Sequence, residues 1–140
     1  MTKTVESNRA IVKHWFDLWN QHALDQLAAL VSPDYCHHAS SGKSLTFDQF
    51  KQGFQWILSA FPELHYTIVQ LVAEDDLVAV YLTAIGTHQG MLFDLPPTGR
   101  SCQFTGVYHC RISDGRIIED WDIFDMLNVV FQLGASFQSG

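Results

Sequence analysis

Apolar residues recur at helical spacing through the first half of the chain, and this pattern predicts three helices. The first spans about residues 5–22 and has one broad apolar face. A second, short helix is expected over residues 24–31, because Pro33 biases the residue before it away from the helical region. The third begins after Thr46, which can form a capping box with Gln49, and it ends at Pro62.

The apolar period shortens after Pro62, where four segments are rich in the residue types that favour strands. They cover residues 65–73, 77–88, 101–113 and 116–124. Asp114-Gly115 is a strong hairpin signal, and residues 126–133 could form a closing helix or an edge strand. We therefore expect a single domain over residues 1–140 with an α+β fold, in which an antiparallel sheet packs against about three N-terminal helices.

Both faces of the last predicted strand mix bulky apolar side chains with ionisable ones. Ile117, Glu119, Trp121 and Asp125 share one face if the strand is regular, whereas Asp120, Asp122 and Phe124 share the other. The acidic residues among them could simply form a solvated or paired strand face. A sheet that lay flat on a core would separate the two kinds of side chain more cleanly. A curved sheet that encloses a partly polar, otherwise apolar pocket explains the mixture better.

Composition and charge narrow the classes of partner. The chain of 140 residues is 47% hydrophobic and has ten Phe, four Tyr and four Trp, which suffices for a core and a pocket lining. The net charge of −7, with only eight Lys and Arg, argues against nucleic acid or an anionic membrane surface as partners.

Because no membrane-length apolar run and no signal-peptide segment are visible, we expect a cytoplasmic protein. No phosphate loop, nucleophile elbow, dinucleotide fingerprint or zinc-like spacing is present, so neither a cofactor nor a metal is expected.

Asp125 is the first candidate for acid/base chemistry. It lies between Phe124 and Met126, and desolvation among such neighbours would raise the pKa of its carboxyl group towards neutrality. The alternative is that Asp125 caps a helix that begins at Met126, since Asp is a preferred N-cap residue. Position and composition alone favour the cap.

Histidines and aromatic residues supply further candidates. The adjacent His37 and His38 point to opposite faces of a strand, so they cannot both bind one metal, and one of them should face the cavity. His88 ends a predicted strand at the mouth of the expected cup. Each of these could equally be an ordinary surface or core histidine. Phe16 and Trp19 are more often core residues, although such a cluster also suits stacking on a flat polycyclic ligand.

Several short motifs follow one another from about residue 10 to residue 136. They are residues 34–38 (DYCHH), 60–64 (AFPEL), 86–90 (GTHQG), 96–100 (PPTGR), 114–121 (DGRIIEDW) and 132–135 (QLGA), together with Asp125. In order and spacing they resemble the SnoaL-like polyketide cyclases, often called ester cyclases. The resemblance implies the cone-shaped α+β barrel of nuclear transport factor 2-like proteins and a homo-oligomer, either a dimer or a tetramer.

The resemblance also implies an activity. In the family's characterised cyclases a pocket Asp, without metal or organic cofactor, takes a proton from an activated carbon of a polyketide methyl ester and supports an intramolecular aldol closure. The resemblance assigns this acid/base role to Asp125 and makes His38, His88 and Trp121 pocket-lining groups. The enolate oxygen needs a hydrogen-bond donor, which His88, His38 or Arg111 could supply, and His88 is the second catalytic candidate. The candidate substrate-binding residues are His38, Trp121, Trp19, Phe16, Phe54, Phe104, His109 and Arg111.

Other functions remain open at the level of sequence. The same cup could serve a non-catalytic module that binds a small ligand or mediates dimerisation. It could also serve a hydrolase or a dehydratase, whose products differ in mass from the substrate, whereas ring closure alone leaves the mass unchanged. All of these functions share one expected partner, a hydrophobic small molecule.

Overall fold

The computed structural model describes residues 3–135, which form four helical segments and a six-stranded sheet. The helical segments are α1 (Lys3–Asn20), a 3₁₀ helix (Leu24–Leu30), α2 (Phe47–Ala60) and α3 (Met126–Gln132). The strands are β1 (Val31–His38), β2 (Ser44–Leu45), β3 (His65–Glu74), β4 (Leu77–Thr87), β5 (Ser101–Ser113) and β6 (Arg116–Phe124). The predicted α+β class is confirmed, and the closing segment is a helix rather than an edge strand.

The sheet has the strand order β2-β1-β6-β5-β4-β3, and it is mixed rather than antiparallel. Strands β3 to β6 form the expected antiparallel meander, but β1 pairs with β6 in parallel. The expectation of a wholly antiparallel sheet is therefore wrong. Parallel neighbours need a long crossover connection, and α2 with the first strands of the meander supplies it between β1 and β6. Because β2 and β3 lie at opposite edges without pairing, the sheet is not closed into a barrel.

Local sequence signals set the ends of α2 and the last hairpin. The Thr46 hydroxyl accepts a hydrogen bond from the Gln49 amide at 3.2 Å, and the Gln49 side chain accepts one from the Thr46 amide at 3.0 Å, which confirms the capping box. Asp114 and Gly115 have φ values of 52° and 76°, as a two-residue hairpin turn with the right twist requires. Within residues 3–135 no helix is long and apolar enough to cross a membrane.

The core lies between the helices and the concave face of the sheet. Trp15 and Trp19 of α1 are almost completely buried and pack against Tyr108 of β5. Alternation along the strands places their buried residues on this one face.

A β-bulge in β6 changes which residues face the core. Arg111 pairs with Glu119, but the next residue of β5 pairs with Ile117, so β6 carries one extra residue at this point. Ile117 and Asp120 are therefore both fully buried. The expectation that Ile117 shares a face with Glu119 and Trp121 is wrong, because that expectation assumed a regular strand.

Candidate active site

A cavity of about 260 Å³ lies between α1, α2 and the concave face of the sheet. Helical spacing in α2 turns Phe50 and Phe54 to the same side, and alternation in β6 brings Asp122 and Phe124 to the opposite wall. The aromatic lining consists of Trp19, Phe50, Phe54, Trp56, Tyr66, Phe93, Phe104 and Phe124. The polar side chains of the lining are His37, Ser40 and Asp122. Such a wall, apolar with a few convergent polar groups, is typical of a small-molecule site.

Asp122 is the carboxylate of this cavity. Its side chain is 19% exposed, and it lines the cavity beside Phe124 and Phe104. The pKa of the Asp122 carboxyl is raised to about 6, chiefly by burial; the charge of His37 lowers it and the nearby charge of Asp120 raises it. A carboxyl group with a pKa near neutrality can both accept and return a proton at physiological pH.

Behind Asp122 lies a second carboxylate, Asp120, which has no exposed surface. Its oxygens accept hydrogen bonds from the Tyr35 hydroxyl at 3.0 Å, from the Tyr108 hydroxyl at 2.8 Å and from Nδ1 of His37 at 2.7 Å. These donors compensate for the desolvation of the charge. Nε2 of His37 lies 3.6 Å from Oδ1 of Asp122, so the imidazole separates the two carboxylates.

The pKa of His37 reflects competing effects. Burial lowers it, whereas the hydrogen bond to Asp120 and the charges of Asp122 and Asp120 raise it, and the net direction is upward. The imidazolium form is therefore stabilised between the two carboxylates. Among the described residues no group of three or more His, Cys, Asp or Glu side chains is arranged to hold a metal ion.

Two further residues of the lining, Tyr66 and Trp19, carry hydrogen-bond donors. Burial and the charge of Asp122 raise the pKa of the Tyr66 hydroxyl, so this group keeps its proton. The indole Nε1 of Trp19 is buried and finds no acceptor within residues 3–135. A buried donor without a partner carries a desolvation cost that a ligand oxygen would relieve.

Asp125, the predicted acid/base, lies outside this cavity. Its side chain is exposed and accepts a hydrogen bond from the backbone amide of Asn128 at 3.1 Å, as the N-cap of α3. The expectation that its carboxyl group is desolvated among apolar side chains is wrong. Strand β6 ends at Phe124, and the chain turns into α3 at Asp125, so its side chain points to the amides of the helix instead of into the core.

Four predicted substrate-binding residues lie together on the outer face of the sheet, away from the aromatic cavity. The rings of His38 and His109 stack on either side of Trp121, with centroid distances of 4.7 and 4.4 Å. Glu119 accepts hydrogen bonds from Nε2 of His38 at 2.9 Å and from Nε of Arg111 at 3.1 Å. Odd-numbered residues of β5, and those of β6 that follow the bulge, point to this face, which explains why these side chains meet.

Three of the four remaining aromatic residues that are candidates for substrate binding lie in the cavity wall. Trp19, Phe54 and Phe104 line the cavity. Phe16 packs behind the lining, against Trp19 at 4.6 Å and Tyr108 at 5.1 Å between ring centroids. Phe16 therefore supports the position of Trp19 from the core.

His88 is completely buried just beyond the end of β4, outside the lining of the cavity. Its Nδ1 accepts a hydrogen bond from the backbone amide of Thr98 at 3.2 Å, which places the proton of the neutral ring on Nε2. That Nε2 is buried and without a partner within residues 3–135. His88 thus anchors the proline-rich loop at Thr98, and it does not meet Asp122 or Asp125.

The residues that sequence reasoning missed are Asp122 and its neighbours. Alternation places Asp120, Asp122 and Phe124 on one face, but the pattern equally allows a solvated or paired strand surface for the two aspartates. The pattern divides the adjacent histidines between two faces, and the resemblance favours His38 as the pocket-lining one; in the structure His37 lines the cavity, whereas His38 stacks on Trp121 on the outer face. A signal was available, because an Asp on the same strand face as a large aromatic residue is a candidate pocket carboxylate.

Comparison with known proteins identifies the family. The profile of the SnoaL-like polyketide cyclase family matches residues 9–133. The chain belongs to this family. The nogalonic acid methyl ester cyclase of Streptomyces nogalater is 29% identical over 119 residues, which cover 83% of this chain and 89% of that protein.

Solved structures agree with this membership in the SnoaL-like family. IdmH from Streptomyces antibioticus, a proposed polyketide cyclase, superposes with a TM-score of 0.85 at 28% identity, over 91% of this chain and 99% of IdmH. AclR from Streptomyces galilaeus, a proposed hydroxylase, superposes with a TM-score of 0.88 at 26% identity, over 97% of this chain and 86% of AclR. The SnoaL-like fold is thus shared with proteins to which different reactions are ascribed. The fold alone therefore does not identify the reaction of this protein, which depends on the residues of its site.

Proposed function

We propose that this SnoaL-like protein is a polyketide cyclase in which Asp122 acts as the acid/base for an intramolecular aldol closure. One observation carries the proposal: Asp122 is the carboxylate of the aromatic cavity, and burial raises the pKa of its carboxyl group to about 6. Asp125 was the candidate that the sequence resemblance favoured, but its exposed position at the start of α3 supports a capping role instead.

The proposed reaction begins when the Asp122 carboxylate removes a proton from a carbon flanked by carbonyl groups. The electron pair of the C–H bond moves to an enolate oxygen, for which the Trp19 indole and the Tyr66 hydroxyl are the proposed donors. The enolate carbon then attacks a second carbonyl of the same molecule and forms the new C–C bond. Asp122 returns the proton to the resulting alkoxide, so that atoms and charges balance without an oxidant or a reductant.

The cavity favours a neutral, flat substrate. Eight aromatic side chains line it, and its lining contains no Lys or Arg within residues 3–135. The one imidazole of the lining, His37, already lies between Asp120 and Asp122, so a carboxylate substrate would be desolvated next to Asp122 without a counter-charge of its own. A methyl ester avoids this cost, and the relative from Streptomyces nogalater is named for the methyl ester of nogalonic acid. We therefore propose an aromatic polyketide methyl ester as substrate. We further propose that the protein acts without a cofactor, in the cytoplasm and as a homo-oligomer.

The test compares two matched variants on nogalonic acid methyl ester, followed by chromatography and mass spectrometry. The wild type should give a product of unchanged mass, whereas loss of water or of the ester methyl would indicate a dehydratase or a hydrolase. Asp122→Asn should lower kcat by about 10² or more, because the amide cannot accept the proton. Asp125→Asn should change kcat only a few-fold, since Asn also caps helices. A larger loss of kcat in Asp125→Asn than in Asp122→Asn would show that Asp125, and not Asp122, is the acid/base.

A further inference from the structure

Three ionisable side chains form a row that leads away from the cavity: Asp122, His37 and Asp120. His37 of β1 is the direct parallel-sheet partner of Asp120 in β6, so the backbone pairing fixes their approach. The two ring nitrogens of His37 face different carboxylates, with Nδ1 2.7 Å from Asp120 and Nε2 3.6 Å from Asp122. Only Asp122 and His37 line the cavity, whereas Asp120 has no exposed surface.

The hydrogen bonds to Asp120 determine which nitrogen of His37 can exchange a proton. The Tyr35 and Tyr108 hydroxyls both donate to the oxygens of Asp120, so Asp120 is the acceptor at the centre of these hydrogen bonds. Nδ1 of His37 must therefore carry a hydrogen and donate it. The remaining nitrogen, Nε2, is left as the site that gains or loses a proton opposite Asp122.

Within residues 3–135, the buried hydroxyl and thiol groups around the row keep their protons near neutral pH. The hydroxyl groups of Tyr35 in β1, Tyr66 in β3 and Tyr108 in β5 all have raised pKa values, because they are buried. Burial likewise raises the pKa of the Cys110 thiol in β5 to about 12. From helix α2 the row is contacted by the apolar ring of Phe50, whose centroid lies 5.1 Å from that of the His37 ring. Among the groups named here, Asp122 and His37 are thus the pair that can exchange a proton near neutrality.

We propose that His37 and Asp120 form a proton relay behind Asp122, in which His37 stores the proton that Asp122 takes from the substrate. This inference rests on the proposed acid/base role of Asp122. The relay acts from the form in which His37 is neutral and Nε2 is unprotonated, and Nε2 must approach Asp122 from 3.6 Å to hydrogen-bond distance. When the substrate C–H bond breaks, the proton then moves to an oxygen of Asp122 and on to Nε2 of His37, which becomes the imidazolium that the two carboxylates stabilise. After ring closure the proton returns from Nε2 through Asp122 to the alkoxide. His37 is a positioning residue that acts through Asp122, since it exchanges protons with Asp122 and not with the substrate.

The relay can be tested first without any substrate, by NMR of the wild-type protein. The imidazole nitrogens of His37 and the carboxyl carbon of Asp122 are followed as a function of pH. Nδ1 should stay protonated throughout, Nε2 should titrate, and both residues should show the same pair of pH steps, as coupled sites do. A proton that leaves from Nδ1, or pH steps of Asp122 that do not appear at His37, would overturn the relay.

Variants then separate the relay from a merely structural role. In His37→Asn the amide can still donate to Asp120, but nothing replaces Nε2. Because the positive charge of His37 lowers the pKa of Asp122, this variant should titrate Asp122 in a single step at higher pH than the wild type. His38→Asn, the adjacent histidine on the opposite face, is the matched control and should leave the Asp122 titration unchanged. An identical Asp122 titration in the wild type and His37→Asn would contradict the relay.

Kinetics on nogalonic acid methyl ester complete the test. His37→Asn should lower kcat about 10-fold with little change in KM, and it should move the acidic limb of the kcat–pH profile upward, because Asp122 must be ionised to act as base. An unchanged acidic limb would assign His37 a structural role only. A wild type that shows the NMR coupling but closes no ring would refute the proposed cyclase function and leave the proton exchange between His37 and Asp122 established.

Discussion

Asp122 and Asp125 lie only three positions apart in the sequence, but their carboxyl groups are in different surroundings. Asp122 still belongs to β6 and points to the aromatic cavity, whereas Asp125 follows the end of the strand and caps α3. Burial acts on the first and raises its pKa to about 6. The chemistry of an aspartate here depends on whether its backbone remains in the sheet.

The raised pKa of Asp122 makes a prediction about stability. As the pH rises from about 4 to about 6, the unfolded chain releases this proton before the folded protein does, so the free energy of unfolding falls. Asp122→Asn removes this loss and should be more stable than the wild type at pH 8, by up to about 3 kcal/mol. The difference should shrink towards pH 4. Urea denaturation at pH 4, 6 and 8 measures it, and a pH-independent difference would contradict the desolvation of Asp122.

Asp125 makes the complementary prediction. Asp125→Ala removes the acceptor for the Asn128 amide and should lower the free energy of unfolding by about 1 kcal/mol, as the loss of an N-cap does. Asp125→Asn preserves an acceptor and is the control, with a change of a few tenths of a kcal/mol. Urea denaturation of both variants at pH 7 decides the matter. Equal stability of the Ala variant and the wild type would show that the cap contributes nothing.

Among the secondary structure elements, the pair of β5 and β6 shapes the cavity wall. Gly106 of β5 lies opposite Phe124 of β6, and the Phe124 ring covers the position that a Cβ atom of residue 106 would occupy. A side chain at position 106 would therefore push the ring. Because Phe124 and Phe104 meet edge to face in the cavity wall, a shift of one ring changes the shape of the site.

Gly106→Ala should therefore destabilise the protein by about 1–3 kcal/mol, as overpacking does, and weaken the binding of a neutral aromatic probe such as N-phenyl-1-naphthylamine. Urea denaturation and probe fluorescence measure the two effects. Gly53→Ala in α2 is the control for stability, since a Cβ atom there contacts nothing and Ala is the better helix former by about 1 kcal/mol. Probe binding by Gly106→Ala as tight as that of the wild type would contradict the assigned role of Phe124.

At the scale of the whole molecule, the outer face of the sheet carries exposed apolar side chains. Val107 of β5 is 47% exposed and Ile123 of β6 is 65% exposed, beside the stacked rings on Trp121. Apolar surface of this kind often marks a contact with another protein. The resemblance to SnoaL-like cyclases predicts a homo-oligomer, and this face is available for it.

Light scattering should therefore give a mass of two or four chains for the wild type. Lysine at both positions of the outer face, Val107→Lys with Ile123→Lys, should lower the mass to that of one chain, because burial of the two charges would be unfavourable. Circular dichroism provides the control that the double variant is folded. A wild type with the mass of a single chain would refute the prediction of a homo-oligomer.

The sequence by itself determined the features that depend on neighbours along the chain. Thr46 and Gln49 specify the start of α2, Asp114-Gly115 specifies the last hairpin, and the alternation in β6 separates Asp122 from Trp121. Propensity, capping and periodicity act over a few residues, so these signals can be interpreted without knowledge of the fold. The order of the motifs also indicated the family.

Only the tertiary structure decided which of the two faces is the site. Periodicity shows that Asp120 and Asp122 share a face, but the concave face is defined by where α1 and α2 pack. The parallel pairing of β1 with β6 joins His37 to Asp120 across 83 residues, and the bulge at Ile117 shifts the alternation that precedes them. Such contacts depend on strands far apart in sequence, and the raised pKa of Asp122 follows from burial that exists only after they form.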